Sequence, residues 1–127
     1  MKNILLIISL LLCSIMRAEA QNRIDAMVEK YSMAGNTRFI SAIERDPATR
    51  KVKKVVRKLN FPYNNVKAFK EAFEKESATG NYTVTKNPNG TNSYLLITGN
   101  KPQTRIYMLE YKNYSEGNVT IIIKTGN

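Results

Sequence analysis

The chain is 127 residues long, 43% apolar and 24% charged, which fits a single globular domain and argues against a disordered, collagenous or coiled-coil chain. It is basic, with 20 Lys and Arg against 10 Asp and Glu, and it contains no His, no Trp and one Cys, Cys13. The usual imidazole base and the preferred ligands of zinc, copper, haem and iron–sulfur clusters are therefore missing or nearly so.

Lys2 gives a positive start, Ile4 to Ile15 form a short apolar run broken by Ser9, Cys13 and Ser14, and Ala18-Glu19-Ala20 supplies a small-x-small pattern before Gln21. Residues 1–20 are accordingly expected to be a secretory signal peptide cleaved near Ala20-Gln21, with the protein exported to the periplasm or out of the cell. The run falls short of the roughly 20 apolar residues a spanning helix needs, so no transmembrane segment is expected in the mature chain. Lipidation at Cys13 would want a small residue where Leu12 stands, which leaves plain secretion as the preferred reading. Residues 21–127 then form a single domain without Cys or His, held by its core rather than by disulfides or zinc.

Ile24, Met27, Val28 and Tyr31 recur at the spacing of an amphipathic helix, with Gly35-Asn36 as its stop. Thr37 to Arg45 alternates, Phe39, Ser41 and Ile43 facing one way and Ile40 and Ala42 the other, as a strand does. Asp46-Pro47-Ala48-Thr49 reads equally as a turn or as a helix cap. Val52, Val55, Val56 and Leu59 match helical spacing, yet the segment is β-branched and follows a strand closely, so a hairpin strand with a bulge is preferred to a helix. Val66, Phe69, Ala72 and Phe73 share the face of a second helix, capped by Asn64 or Asn65 and ended by Gly80. Tyr82 to Lys86, Thr91 to Thr98, Thr104 to Lys112 and Val119 to Lys124 follow as strands between Asn-, Gly- and Pro-rich turns. The order α-β-β-α-β-β-β-β predicts an α+β fold: an antiparallel sheet of about six strands with two helices packed on one face.

Glu29-Lys30-Tyr31, the hairpin Glu44 to Val52, Ala68-Phe69, Arg105-Ile106-Tyr107 and Ile121-Ile122-Ile123-Lys124 together resemble a family of small secreted Bacteroidetes proteins of unknown function. The resemblance covers nearly the whole mature chain and implies the fold and export. It rests on hairpin and strand patterns, so it implies no catalytic or binding residue.

The motifs of common enzymes are absent. None of Ser32, Ser41, Ser77, Ser93 or Ser115 stands in G-x-S-x-G or S-x-x-K, and no Gly-rich turn of the phosphate-binding kind opens a helix. Glu44 and Glu110 are the one conceivable carboxylate pair for glycoside hydrolysis, and strand carboxylates are more often solvated or salt-bridged than catalytic. The expectation is a non-catalytic protein with no cofactor and no metal. Asn81, Asn89, Asn113 and Asn118 open N-x-[ST] patterns that matter only in a eukaryotic secretory pathway.

Charge is the strongest remaining feature. Residues 36–60 hold Arg38, Arg45, Arg50, Lys51, Lys53, Lys54, Arg57 and Lys58 against Glu44 and Asp46. Such a cluster serves as a solvated edge that blocks strand pairing or as a contact for a polyanion or anionic membrane. Specific nucleic-acid recognition is not expected, because residues 45–58 carry no aromatic for base stacking. Tyr107, Leu109 and Tyr111 alternate against Ile106 and Met108, so either the tyrosines pack under the helices or they form an uncovered partner surface. The expected function is an exported binding module for an unknown protein or anionic polymer, touching it through Arg45, Arg50, Lys51, Lys53, Lys54, Arg57 and Lys58, with Tyr107 and Tyr111 as a second candidate surface. The alternative is a small-molecule or peptide carrier with a pocket between sheet and helices near Tyr31, Phe69 and Phe73.

Overall fold

A computed structural model describes residues 22–99 and 103–125. The expected signal peptide, Cys13, and Asn100, Lys101 and Pro102, between the strands expected over Thr91 to Thr98 and Thr104 to Lys112, lie outside the described residues.

Helix α1, Arg23–Tyr31, begins with a reciprocal cap. Asn22 Oδ1 accepts from the N–H groups of Ile24 and Asp25 at 2.8 and 3.0 Å, and Asp25 Oδ2 accepts from the Asn22 N–H at 3.2 Å. Two donors that a helix start leaves orphaned are thereby satisfied.

Strands β1, Arg38–Arg45, and β2, Val52–Phe61, form the predicted hairpin. Glu44 pairs with Lys54 and Arg45 with Val52, so Lys53 is the extra residue of a bulge. The ambiguous Asp46 segment is a turn: Asp46 Oδ1 accepts from Ala48 and Thr49 N–H at 2.8 and 3.0 Å, and Arg50 closes the loop in the left-handed region at φ 64°. Helix α2, Val66–Glu76, starts differently from expectation. Neither asparagine caps it; Asn65 has helical backbone angles and makes no side-chain cap bond, because a short 3-10 turn over Tyr63–Asn65 already leads the chain from Pro62 into the helix.

Strands β3, Asn81–Lys86, β4, Thr91–Thr98, β5, Gln103–Lys112, and β6, Gly117–Thr125, make an antiparallel meander. Strand β6 then pairs with β2, giving one six-stranded sheet in the order β1-β2-β6-β5-β4-β3 and confirming the α+β architecture.

One face of the sheet carries both helices. Leu59, Phe61, Leu96, Tyr107, Leu109, Val119 and Ile121 pack there against Ile24, Val28, Phe69 and Phe73, every one of them at most 2% exposed. Phe61 stacks on Phe69 with ring centroids 4.5 Å apart. Gly117 is required beside them, because a Cβ at that position would stand 2.8 Å from Phe61 Cε1.

Candidate functional site

Strand pairing decides which of the predicted basic residues act together. Leu59 lies opposite Val119, both buried on the helix side, and side chains alternate along a strand. Lys54 and Lys58 therefore point to the face without helices, whereas Arg57, opposite Ile121, points to the helix side. The sequence cluster is split. Arg45, Arg50, Lys51 and Lys53 surround the hairpin turn and its bulge, all of them exposed.

The register adds a residue that sequence reasoning missed. Lys54 pairs directly with Lys124 of β6, 70 positions later in the chain, which the local pattern had no means to indicate. Like charges directly opposite one another on neighbouring strands destabilise a sheet. Lys58, opposite Thr120, stands on the same face two such positions further along β2, beyond Val56. The only ion pairs among the described residues are Arg38 with Glu116 at 3.2 Å and Arg105 with Asp25 at 3.5 Å, so Arg45, Arg50, Lys51, Lys53, Lys54, Arg57, Lys58 and Lys124 carry charge that no carboxylate within 4.0 Å offsets.

Beside these lysines the open face is apolar. Ala42, Val56, Ile122, Ile106 and Ile97 form one row across five strands, and Ile40, Met108 and Leu95 belong to the adjacent row. Both described helices lie on the other side. Ile40 at the β1 edge is 62% exposed.

Tyr107 and Tyr111 do not form a partner surface. Tyr107 is fully buried and Tyr111 is 7% exposed, because their side of β5 is the one the helices cover. The Tyr107 hydroxyl donates to Asp25 Oδ2 at 2.7 Å, and burial together with that bond pushes its ionisation well above the ordinary value of 10.0. Tyr111 stacks on Tyr94 at 6.2 Å and lies 5.9 Å from the Lys70 ammonium. Residues of the type chosen for a sticky surface are instead part of the core.

Glu44 and Glu110 are not brought together. Both sit on the open face, but Glu44 is level with Lys54, Lys124 and Thr104, whereas Glu110 is level with Asn118 and Asn60, three strands and six residues away. The separation is roughly 25 Å at ordinary strand spacing and rise, beyond the reach of a glycosidase pair, at most about 9.5 Å.

The expected pocket near Tyr31, Phe69 and Phe73 is filled, since Tyr31 packs on Phe69 at 5.3 Å and Phe69 and Phe73 are fully buried. A cleft of about 330 Å³ opens instead between α1 and the hairpin, lined by Asp25 and Glu29 on the helix, by Ser32 at its C-cap and by Phe39, Ser41 and Arg57 on the strands. Asp25 is 5% exposed, and its Oδ1 accepts no hydrogen bond from the described residues.

Comparison with known proteins matches residues 21–123 to the DUF5024 family model, described as a domain of unknown function. The chain belongs to this family. The DUF5024 match extends from just before α1 into β6 and so takes in the hairpin, both helices and the whole core. No curated protein and no solved structure matches the chain.

Proposed function

We propose that this DUF5024 chain is a non-catalytic binding module, exported after removal of residues 1–20, whose mature single domain, residues 21–127, contacts an anionic polymer or an acidic protein through the basic hairpin and the neighbouring end of β6. Export and the kinship with small secreted Bacteroidetes proteins rest on the leader pattern and on the resemblance described above. The observation that carries the binding reading is the direct pairing of Lys54 with Lys124, with Lys58 beside them and no carboxylate of the described residues within 4.0 Å of any of the three, Glu44 across the other side of Lys54 included. A sheet that keeps two ammonium groups opposite each other gives up stability, and an anion lying across them recovers it. Absence of catalysis is proposed from the lack of His and of a thiol in the mature chain and from the wide separation of Glu44 and Glu110.

The test compares two variants of equal net charge on a heparin column. Changing Lys54, Lys58 and Lys124 to Ser removes the open-face cluster, and changing Lys67, Lys75 and Lys86 to Ser removes three exposed lysines elsewhere. The first variant elutes at clearly lower salt than the second if the cluster is the site; equal elution would reduce the interaction to general basicity.

A second reading, a small-molecule carrier, is favoured by the cleft at Asp25, Glu29 and Arg57, which sets acid against base across about 330 Å³. Its lining is open to amino-acid and short-peptide screening by NMR, with shifts confined to α1 and β2 as the expected result.

A further inference from the structure

On the helix side the two helices cover β2, β6, β5 and β4 and leave Phe39 and Ile43 of β1 exposed at its edge, whereas the open side carries no described helix and combines apolar and basic residues. Val56, Ile122, Ile106, Met108, Leu95 and Ile97 form a continuous apolar band over four adjacent strands. Lys54, Lys58 and Lys124 stand within and at one end of that band, on β2 and β6. All six are half-buried, so the band keeps part of its apolar surface in water; contiguous apolar surface is a mark of contact sites, and the charge at the margin narrows what the contact is.

A second copy of the chain fits poorly. Face-to-face pairing would bring six of these lysines into one interface, met on that face only by two copies each of Glu44 and Glu110. A soluble polyanion satisfies the ammonium groups and leaves the aliphatic band in water. An anionic amphiphile answers both. Six strands span about 24 Å at ordinary spacing, a broad surface rather than a groove, and lysine stems lie along apolar surface while their heads reach for charge.

We propose that the open face docks on a lipid bilayer bearing anionic headgroups, with Ile106, Met108 and Ile122 entering the headgroup boundary and Lys54, Lys58 and Lys124 pairing with lipid phosphates. This rests on the anionic-partner reading above and puts an anionic lipid surface in place of the soluble polymer or acidic protein. Each lysine near such a surface contributes about fivefold to partition, and the apolar band supplies what simple polyanion binding lacks.

The experiment uses residues 21–127, within which the whole described core lies, between Ile24 and Ile123. Co-sedimentation is measured with vesicles of phosphatidylcholine mixed with phosphatidylglycerol, with vesicles of phosphatidylcholine alone, and in parallel with heparin retention. Ile106→Thr, Met108→Thr and Ile122→Thr together, a change that keeps β-branched or strand-compatible residues, should cut binding to the mixed vesicles at least tenfold and leave heparin retention unchanged. Lys54→Ser, Lys58→Ser and Lys124→Ser together should cut both. A polarity-sensitive fluorophore on Thr120→Cys, at the centre of the face in a domain with no other Cys, should shift to the blue with mixed vesicles and not with heparin. Wild-type vesicle binding by the threonine variant, an unshifted fluorophore, or a dimer in light scattering that the threonine variant dissolves would each overturn the lipid assignment while leaving polyanion binding standing. Unchanged heparin retention in the serine variant would overturn the anionic-partner reading itself.

Discussion

The hydroxyl of Tyr107 and the carboxylate of Asp25 are 2.7 Å apart, joining the middle of the sheet to the first turn of α1 across 82 positions of sequence. Asp25 Oδ2 also accepts the Asn22 N–H at 3.2 Å and lies 3.5 Å from Arg105, so one buried carboxylate oxygen is shared by the helix cap, the core tyrosine and a strand arginine. A bond to a charged group of this kind contributes about 1.5 to 3 kcal/mol.

Tyr107→Phe should therefore destabilise the domain by about 1.5 to 3 kcal/mol in urea unfolding. Tyr82 is the contrasting case, since its buried hydroxyl has no hydrogen-bond partner among the described residues. Tyr82→Phe should be neutral or slightly stabilising, because it removes a desolvated polar atom that gains nothing in return. Equal losses in the two variants would contradict the assignment of the Tyr107 bond.

Alkaline stability follows from the same residue. Burial and the bond to Asp25 raise the Tyr107 ionisation above 10.0, and burial raises Tyr82 and Tyr94 too. The unfolded chain loses these protons near the ordinary value while the folded chain keeps them. Their contribution is thus fully present below pH 10 and declines as pH rises above it. Melting temperatures between pH 8 and pH 12 should fall above about pH 10, and less steeply in Tyr107→Phe.

Gly117→Ala places a Cβ 2.8 Å from a Phe61 ring atom, and Phe61 cannot retreat because Phe69 stacks on it with ring centroids 4.5 Å apart. The expected cost is about 1 to 3 kcal/mol, seen as a drop in thermal midpoint of several degrees or more. An unchanged midpoint would mean that β6 can shift relative to β2.

At the hairpin turn, Arg50 sits at φ 64°, a conformation that is unfavourable for a side chain bearing a Cβ. Arg50→Gly should leave stability unchanged or raise it by up to about 1 kcal/mol, the relief being partly offset by the freer unfolded chain. Asp46 in the same turn is held below its ordinary value of 3.8, chiefly by the Thr49 N–H and then by that of Ala48. Its contribution is present above that ordinary value and is lost as pH falls through the depressed one. The gap in stability between wild type and Asp46→Ala should accordingly close below about pH 4.

The alternation Tyr107-Leu109-Tyr111 against Ile106-Met108 was readable in the sequence, as were both helices and all six strands. What alternation cannot say is which side the helices cover, since both sets are apolar enough to be buried. That choice is made by long-range contacts, the Tyr107–Asp25 bond among them. The basic hairpin was readable as composition, yet its division into Lys54 and Lys58 on one face and Arg57 on the other needed the strand register. Lys124 could not be found locally at all, because it joins the cluster only when β6 inserts between β2 and β5. The α2 cap misled for a different reason: asparagine suits both caps and turns, and here Asn65 continues a 3-10 turn into the helix instead of capping it.

The central claim, that paired lysines on the open face hold an anionic partner, is tested most directly by the salt dependence of affinity for a defined heparin oligomer, followed by fluorescence anisotropy. Each ammonium group that displaces a counterion contributes a little under one unit to the slope of log affinity against log salt, by the rule known for nucleic-acid polyanions. Changing Lys54, Lys58 and Lys124 to Ser should lower that slope by about two to three units, whereas changing Lys67, Lys75 and Lys86 should leave it nearly as it was. Equal reduction in both variants, or no reduction in the first, would contradict the account.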